Sequence, residues 1–206
     1  MLVSDWMTPD PHAVSSKMPV MEAMVLLREK GYRRLPVVDH GKLVGIVTDR
    51  DLKEATPSKA STLSIYELNY LLSKLSLADV MVRNVITVNA DAPLEEAALI
   101  MEERKVSGLP AVEGDSLVGI LTITDVLKAF VNVLGLREGG TRVSVSVPDK
   151  PGVLAAVAEA AAPSNIVAVV TAGVEQGEKR RLVLRVVGEG AGEYPERLKA
   201  KGIEIE

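Results

Sequence analysis

The sequence predicts an α/β (α+β) protein made of a duplicated strand–helix–strand–strand–helix unit followed by a separate βαββαβ domain. Three observations predict it. Val44-Gly45-Ile46-Val47-Thr48 recurs as Val118-Gly119-Ile120-Leu121-Thr122, 74 residues later. Without any gap, that offset matches 16 of the 50 positions between residues 3 and 52, including Asp5, Met7, Pro19, Leu35, Pro36 and Asp51. The repeat stops near Leu134, and Arg142 to Val147 then alternates strictly between polar and apolar residues, as a strand with one buried face does.

Each copy follows the same local grammar. Pro19 stands at a helix start, where its missing N–H costs nothing and its fixed φ suits the first turn. Val20, Ala23, Met24 and Leu27 form one apolar stripe, matched by Leu94, Ala97, Ala98 and Met101. Gly31 suits the helix end. Leu35–Val38 and Leu43–Val47 read as paired strands around the turn Asp39-His40-Gly41-Lys42, and a second helix follows Thr48. The second copy repeats this with Leu109–Val112, Leu117–Leu121 and a helix after Thr122. The expected boundaries are 1–56 and 77–135 for the copies. Residues 57–76 connect them as a loop around Pro57 to Ser61 and a helix with Ile65, Leu68, Leu72 and Leu75 on one side. Tyr66 and Tyr70 read there as packing residues, with stacking on a ligand or partner as the alternative.

Residues 136–141 read as a linker, and 142–206 as the last domain. Its first strand ends in the turn Pro148-Asp149-Lys150-Pro151-Gly152. A helix striped by Val153, Val157 and Ala161 comes next, then strands Ile166–Thr171 and Arg181–Val187. A helix at Glu193–Lys201 and a short strand at Ile203–Glu206 complete a ferredoxin-like order.

Composition narrows the chemistry. The chain has no cysteine, which excludes thiol catalysis and disulfide scaffolds, and two histidines, His12 and His40, too few for a multi-histidine metal site. With 24 basic and 28 acidic residues, its net charge of −4 offers no basic excess for nucleic acid. Its most apolar stretch, Val153 to Ala162, is too short to span a bilayer and contains Glu159. These features read as a soluble, cytoplasmic protein with no nucleic-acid or membrane partner. No Walker loop or paired catalytic carboxylates appear, so no catalytic residue and no required cofactor are expected.

The Asp-x-Met start, the Leu-Pro-x-Val strand and the closing Gly-Ile-x-Thr-x-x-Asp of each copy resemble the CBS domain, here as a tandem pair covering roughly residues 1 to 135. The resemblance implies two copies packed with pseudo-twofold symmetry, with adenosyl ligands such as AMP, ADP, ATP or an S-adenosyl compound in the clefts between them. Carried over position by position, it assigns Thr48 with Asp51, and Thr122 with Asp125, to ribose and phosphate. The same residues read equally as helix caps, Asp51 reaching back to Thr48 in a capping box. Arg33, Arg34 and Arg50 have Ser107, Gly108 and Thr124 as their counterparts, so a phosphorylated ligand is expected to prefer the cleft that the arginines reach. Val14, Ile46, Val88 and Ile120 are candidates to flank an adenine, with core packing as the plainer reading.

The sequence Val147-x-Asp149-x-Pro151-Gly152-Val153-Leu154, with Asn165-Ile166 opening the next strand, is similar to the ACT domain. That similarity implies amino-acid binding around Asp149, Gly152, Val153, Leu154 and Asn165, or dimerisation alone. The full arrangement resembles the acetoin-utilisation regulatory proteins. The expectation is a non-catalytic regulatory homodimer that senses an adenine nucleotide. Its alternatives are a ligand-free assembly module and an enzyme of acetoin metabolism.

Overall fold

In each copy the two central strands form a hairpin closed by two residues with positive φ or an equivalent tight turn. A computed structural model describes residues 1–55, 70, 74–175 and 179–206. In the first copy, β2 (Arg34–Asp39) pairs with β3 (Lys42–Thr48), and His40 (φ 50°) and Gly41 (φ 79°) make the turn. Two successive left-handed residues match the twist of the flanking strands. The second hairpin, β5 (Gly108–Glu113) with β6 (Ser116–Thr122), repeats the register. It even repeats the irregularity, between Val37 and Val38 in one copy and between Ala111 and Val112 in the other.

Helix α1 (Val20–Lys30) begins after Pro19 and ends at Gly31, whose φ of 67° is the left-handed cap that glycine adopts without strain. The buried Val20, Ala23 and Leu27 are its expected stripe. A six-residue α2 (Asp49–Glu54) closes the copy. In the second copy α3 (Leu77–Val80) and β4 (Val88–Asn89) precede α4 (Leu94–Glu103), which buries Leu94, Ala97 and Met101. Lys105 (φ 55°) takes the left-handed position that Gly31 occupies in the first.

The copies exchange their first segments. The short strand β1 (Thr8–Pro9) pairs not with its own hairpin but with β6, Thr8 opposite Ile120. Its counterpart Val82 bonds reciprocally to Ile46, at 2.9 and 3.0 Å. Leu77 and Met81 therefore sit in the core of the first copy with Leu35, Val37, Val47 and Leu52. The Asp-x-Met motif acquires a physical meaning here. Asp79 Oδ2 accepts the N–H and hydroxyl of Ser76, at 2.9 and 2.7 Å, and Asp5 accepts the N–H of Leu2 at 2.7 Å. Each carboxylate thus ties down the entering turn, while each methionine fills a glycine-made hole on the opposite copy. A Cβ on Gly45 would lie 2.5 Å from Met81 Sδ, and one on Gly119 would collide with Met7.

The chain divides into two compact units, Met1–Val126 and Leu127–Glu206, a division that falls inside α5 (Ile123–Val133). The second unit holds β7 (Thr141–Pro148), α6 (Val153–Glu159), β8 (Asn165–Glu175), β9 (Lys179–Val187), α7 (Tyr194–Ala200) and β10 (Glu204–Ile205). Its antiparallel sheet runs β10-β7-β9-β8, the βαββαβ plan expected. Val143, Val145, Val147, Leu182, Leu184 and Val186 face Val157, Tyr194 and Leu198 of the two helices. Arg197 donates to Ala160 O at 2.8 Å and Ala161 O at 3.0 Å. It thereby satisfies carbonyls that the end of α6 leaves orphaned, with a charge of the favourable sign. The 136–141 stretch is held by Arg185, which donates to Leu134 O and Gly139 O at 3.1 and 2.9 Å. The expected loop at Pro57–Ser61 and the helix positions Ile65, Tyr66, Leu68 and Leu72 lie outside the described residues. Leu75 packs on the first copy's core, and Tyr70 is exposed with Lys74 over its ring.

Candidate functional site

Thr48 and Asp51 are joined at the start of α2 by the expected capping box. One carboxylate oxygen, Asp51 Oδ2, accepts both the Thr48 N–H at 2.8 Å and the Thr48 hydroxyl at 2.6 Å, and Asp51 N–H returns to Thr48 Oγ1 at 3.3 Å. The cap thus occupies a single oxygen. Asp51 Oδ1 accepts no hydrogen bond among the described residues, so capping and ligand binding do not exclude each other here. Thr122 makes the same pair of bonds to Asp125 Oδ2, at 3.0 and 2.6 Å.

The strand exchange creates two clefts, each built from the hairpin end of one copy and the entry loops of the other. The first, about 610 Å³, takes Ile46, Thr48, Asp49, Arg50 and Asp51 from copy one. Copy two contributes Val82, Asn84, Val85 and Ile86, together with Lys105 to Gly108. The second, about 420 Å³, takes Ile120, Thr122, Ile123 and Thr124 from copy two. Its other wall is Thr8, Asp10, Pro11 and His12, then Gly31 to Arg34. With the offset of 74, the two linings correspond almost residue for residue.

The structure corrects three expectations. Arg33 and Arg34 do not serve one cleft; both line both, and only Arg50 is confined to the first. Asp125 is 6% exposed and is not among the residues lining the second cleft, whereas Asp51 lines the first. The deeper seat of Asp125 leaves Thr122 facing that cleft without it. Val14 and Val88 belong to the core: Val14 exchanges backbone bonds with Pro36 and Val38, and Val88 pairs beside Ala111. Of the four apolar candidates, only Ile46 and Ile120 line clefts.

The cations differ in how firmly they are held. Arg50 is exposed and bound to Glu54 at 2.7 Å. Arg33 is exposed and makes no ion pair among the described residues. Arg34 is half-buried, its Nη2 donating to Ser107 Oγ at 2.7 Å, and it lies over Gly108, where a Cβ would collide with the guanidinium. Burial, then the neighbouring Arg33 charge, lower the Arg34 pKa from its ordinary value, yet a guanidinium titrates so high that it keeps its charge. The sequence did not single out Tyr32 and His12, whose rings meet in the second cleft at 6.3 Å between centroids, nor the loop 82–86. The repeat alignment held that signal, since 8–12 and 82–86 are equivalent.

In the second unit, Asp149 is engaged by Arg180 through two bonds of 2.8 Å and does not cap α6. This pairing holds its carboxyl below the usual carboxylate range. Gly152 (φ 87°) opens α6, Val153 packs partly on the core, and Leu154 and Asn165 are exposed. None of these five residues lines either cleft, nor a third, apolar cavity of about 210 Å³ between Phe130, Leu134, Leu136 and the sheet. No helix among the described residues is long and apolar enough to cross a membrane.

Comparison with known proteins agrees with this geometry. The CBS domain matches residues 3–58 and 77–132, and the TTHA0829-like ACT domain matches residues 139–206. A solved CBS domain pair of protein MJ0100, in complex with 5′-methylthioadenosine and S-adenosyl-L-methionine, is 34% identical. It superposes with a TM-score of 0.52 over 63% of this chain and 95% of that one. CBSX2 in complex with AMP is 36% identical, with a TM-score of 0.52, over 63% of this chain and 96% of its own. A putative acetoin utilization protein (AcuB) from Vibrio cholerae is 34% identical, with a TM-score of 0.56, over 67% and 96%. The chain spans only 23% and 26% of two curated enzymes that it matches, a sulfurtransferase and an inosine-5′-monophosphate dehydrogenase. The chain belongs to the CBS-domain family, as a tandem CBS pair followed by an ACT domain.

Proposed function

We propose that the chain is a non-catalytic sensor that binds an adenine nucleotide or S-adenosyl compound in its CBS clefts. The observation that carries this reading is the first cleft. It brings an apolar wall at Ile46, Val82, Val85 and Ile86 together with guanidinium groups and with Asp51, which has one oxygen unengaged. A carboxylate among phosphate-binding cations would repel phosphate, but it suits a ribose diol, which donates two hydrogen bonds. The adenosyl ligands named for MJ0100 and CBSX2 support the same ligand class.

Thermal melting tests it. A ligand at a hundred times its dissociation constant stabilises the folded state by about 2.7 kcal/mol, so AMP, ADP, ATP and S-adenosylmethionine are screened for a raised Tm. Asp51→Asn keeps one acceptor for the Thr48 cap and replaces the open oxygen with a donor. The expected result is an unchanged Tm without ligand and loss of most of the nucleotide-induced rise. No rise with any of the four in the unaltered protein means a ligand-free module.

The second unit supports association better than amino-acid binding, because Asp149 is already committed to Arg180. Strand β8 is an outer strand of eleven residues with Val169 exposed, and such an edge offers unpaired N–H and C=O groups to a second copy. A chain that is dimeric in sedimentation, and monomeric as Val169→Lys, would bear this out. A chain that sediments as a monomer at all concentrations would refute it.

A further inference from the structure

We infer that the two clefts compete for one guanidinium, Arg34, so that phosphorylated ligands bind them with negative cooperativity while uncharged adenosyl ligands bind them independently. The inference rests on the nucleotide reading above and concerns how the two sites communicate. Arg34 lines both clefts. Its repeat counterpart is Gly108, so the pseudo-twofold arrangement supplies one charged side chain where symmetry would supply two. The absence of a Gly108 side chain is what gives the Arg34 guanidinium its place. Ser107, which also lines both clefts, anchors it at 2.7 Å.

The other cations do not replace it equally. Arg50 reaches only the first cleft and is tied to Glu54. Arg33 reaches both but is exposed and has no side-chain anchor among the described residues, so gripping a phosphate would cost it side-chain freedom that Arg34 has already lost. A bidentate grip aims the planar fork of a guanidinium at one phosphate, and the Ser107 hydroxyl already takes one of the Arg34 donors. A phosphate seated in one cleft therefore takes the best donor from the other, and its negative charge opposes a second anion there.

Calorimetric titration of the full chain with AMP and with adenosine tests this. For AMP, the second dissociation constant should exceed the first by a ratio roughly tenfold larger than for adenosine, within the usual range of site-to-site coupling. In Arg34→Met, which keeps an apolar stem, the first AMP step should weaken about tenfold and the second should stay within about twofold, because that step never had the guanidinium. Raising the ionic strength on the unaltered protein gives a check that needs no variant, since screening should narrow the AMP ratio and leave adenosine unchanged.

Equal ratios for AMP and adenosine overturn the inference, as they would if Arg33 served one cleft and Arg34 the other. Equal weakening of both AMP steps in Arg34→Met also overturns it, because that is the mark of two independent sites. Absence of heat with either probe overturns the nucleotide reading itself, and the inference with it.

Discussion

The two CBS copies share a backbone down to the irregularity in each hairpin, yet one copy brings arginines to the cleft walls at positions where the other has none. Leu35 and Leu109, Val20 and Leu94, and Gly45 and Gly119 do the same work in the two copies. At the rims, Arg33, Arg34 and Arg50 have Ser107, Gly108 and Thr124 as repeat counterparts, and Asp51 lines its cleft where Asp125 is buried. The duplication is kept in the core and at the Ile-x-Thr-x-x-Asp motif, and relaxed at the charged positions of the cleft walls. Packing constrains a residue through many contacts at once, while a cleft wall is constrained only by what enters it.

Changes to the shared scaffold test that equivalence most strongly. Leu35→Ala and Leu109→Ala each empty a fully buried site and should each cost about 2–5 kcal/mol in chemical denaturation. A difference between them larger than that spread would break the idea that the copies are structurally equal. Gly45→Ala and Gly119→Ala come next. Each pushes a Cβ into the methionine of the other copy and should cost about 1–3 kcal/mol by overpacking. Met81→Ala should relieve the first of these and Met7→Ala the second, each measurable as a double-mutant cycle.

Smaller effects sharpen the contrast in the caps. Thr48→Ala and Thr122→Ala should each lower stability by about 1 kcal/mol. The smallest effect concerns the cross-copy pair Lys42–Asp115, 2.8 Å apart and exposed on both sides. Lys42 holds the Asp115 carboxyl below its usual range, and Asp115 raises the Lys42 pKa. Any stabilisation is therefore present at neutral pH, lost as pH falls through the depressed Asp115 value, and lost again as pH rises through the raised Lys42 value. Lys42→Ala should leave the Tm at neutral pH almost unchanged in high salt, because exposed pairs contribute little.

Much of this was legible in the sequence, for reasons that particular residues show. Pro19, Gly31 and the Thr48-x-x-Asp51 spacing are local signals, and local geometry decides what they do. The same is true of the alternating β7 and of the apolar stripes of α1 and α4. What the sequence withheld depends on which copy each segment joins. A period of 74 residues is equally consistent with β1 pairing on its own hairpin or on the other one. Only the exchange brings Arg34 to both clefts and places His12, from the first copy's entry loop, in one cleft with Thr122. The Asp149–Arg180 pair was hidden in the same way, by a separation of 31 positions along the chain. A side chain able to reach an ammonium ligand is equally able to reach a guanidinium of its own protein.

The methionines that plug glycines on the opposite copy have an implication for ancestry. A single copy carrying both the plug and the hole is complementary to itself, so two separate identical chains would close the same arrangement about a true twofold axis. Joining them by a connector converts a concentration-dependent assembly into an intramolecular one and frees each half to diverge. The halves, produced as separate polypeptides, should therefore reassemble when mixed. The one arginine facing one glycine at Arg34 and Gly108 is the kind of asymmetry that no homodimer of single copies could have carried.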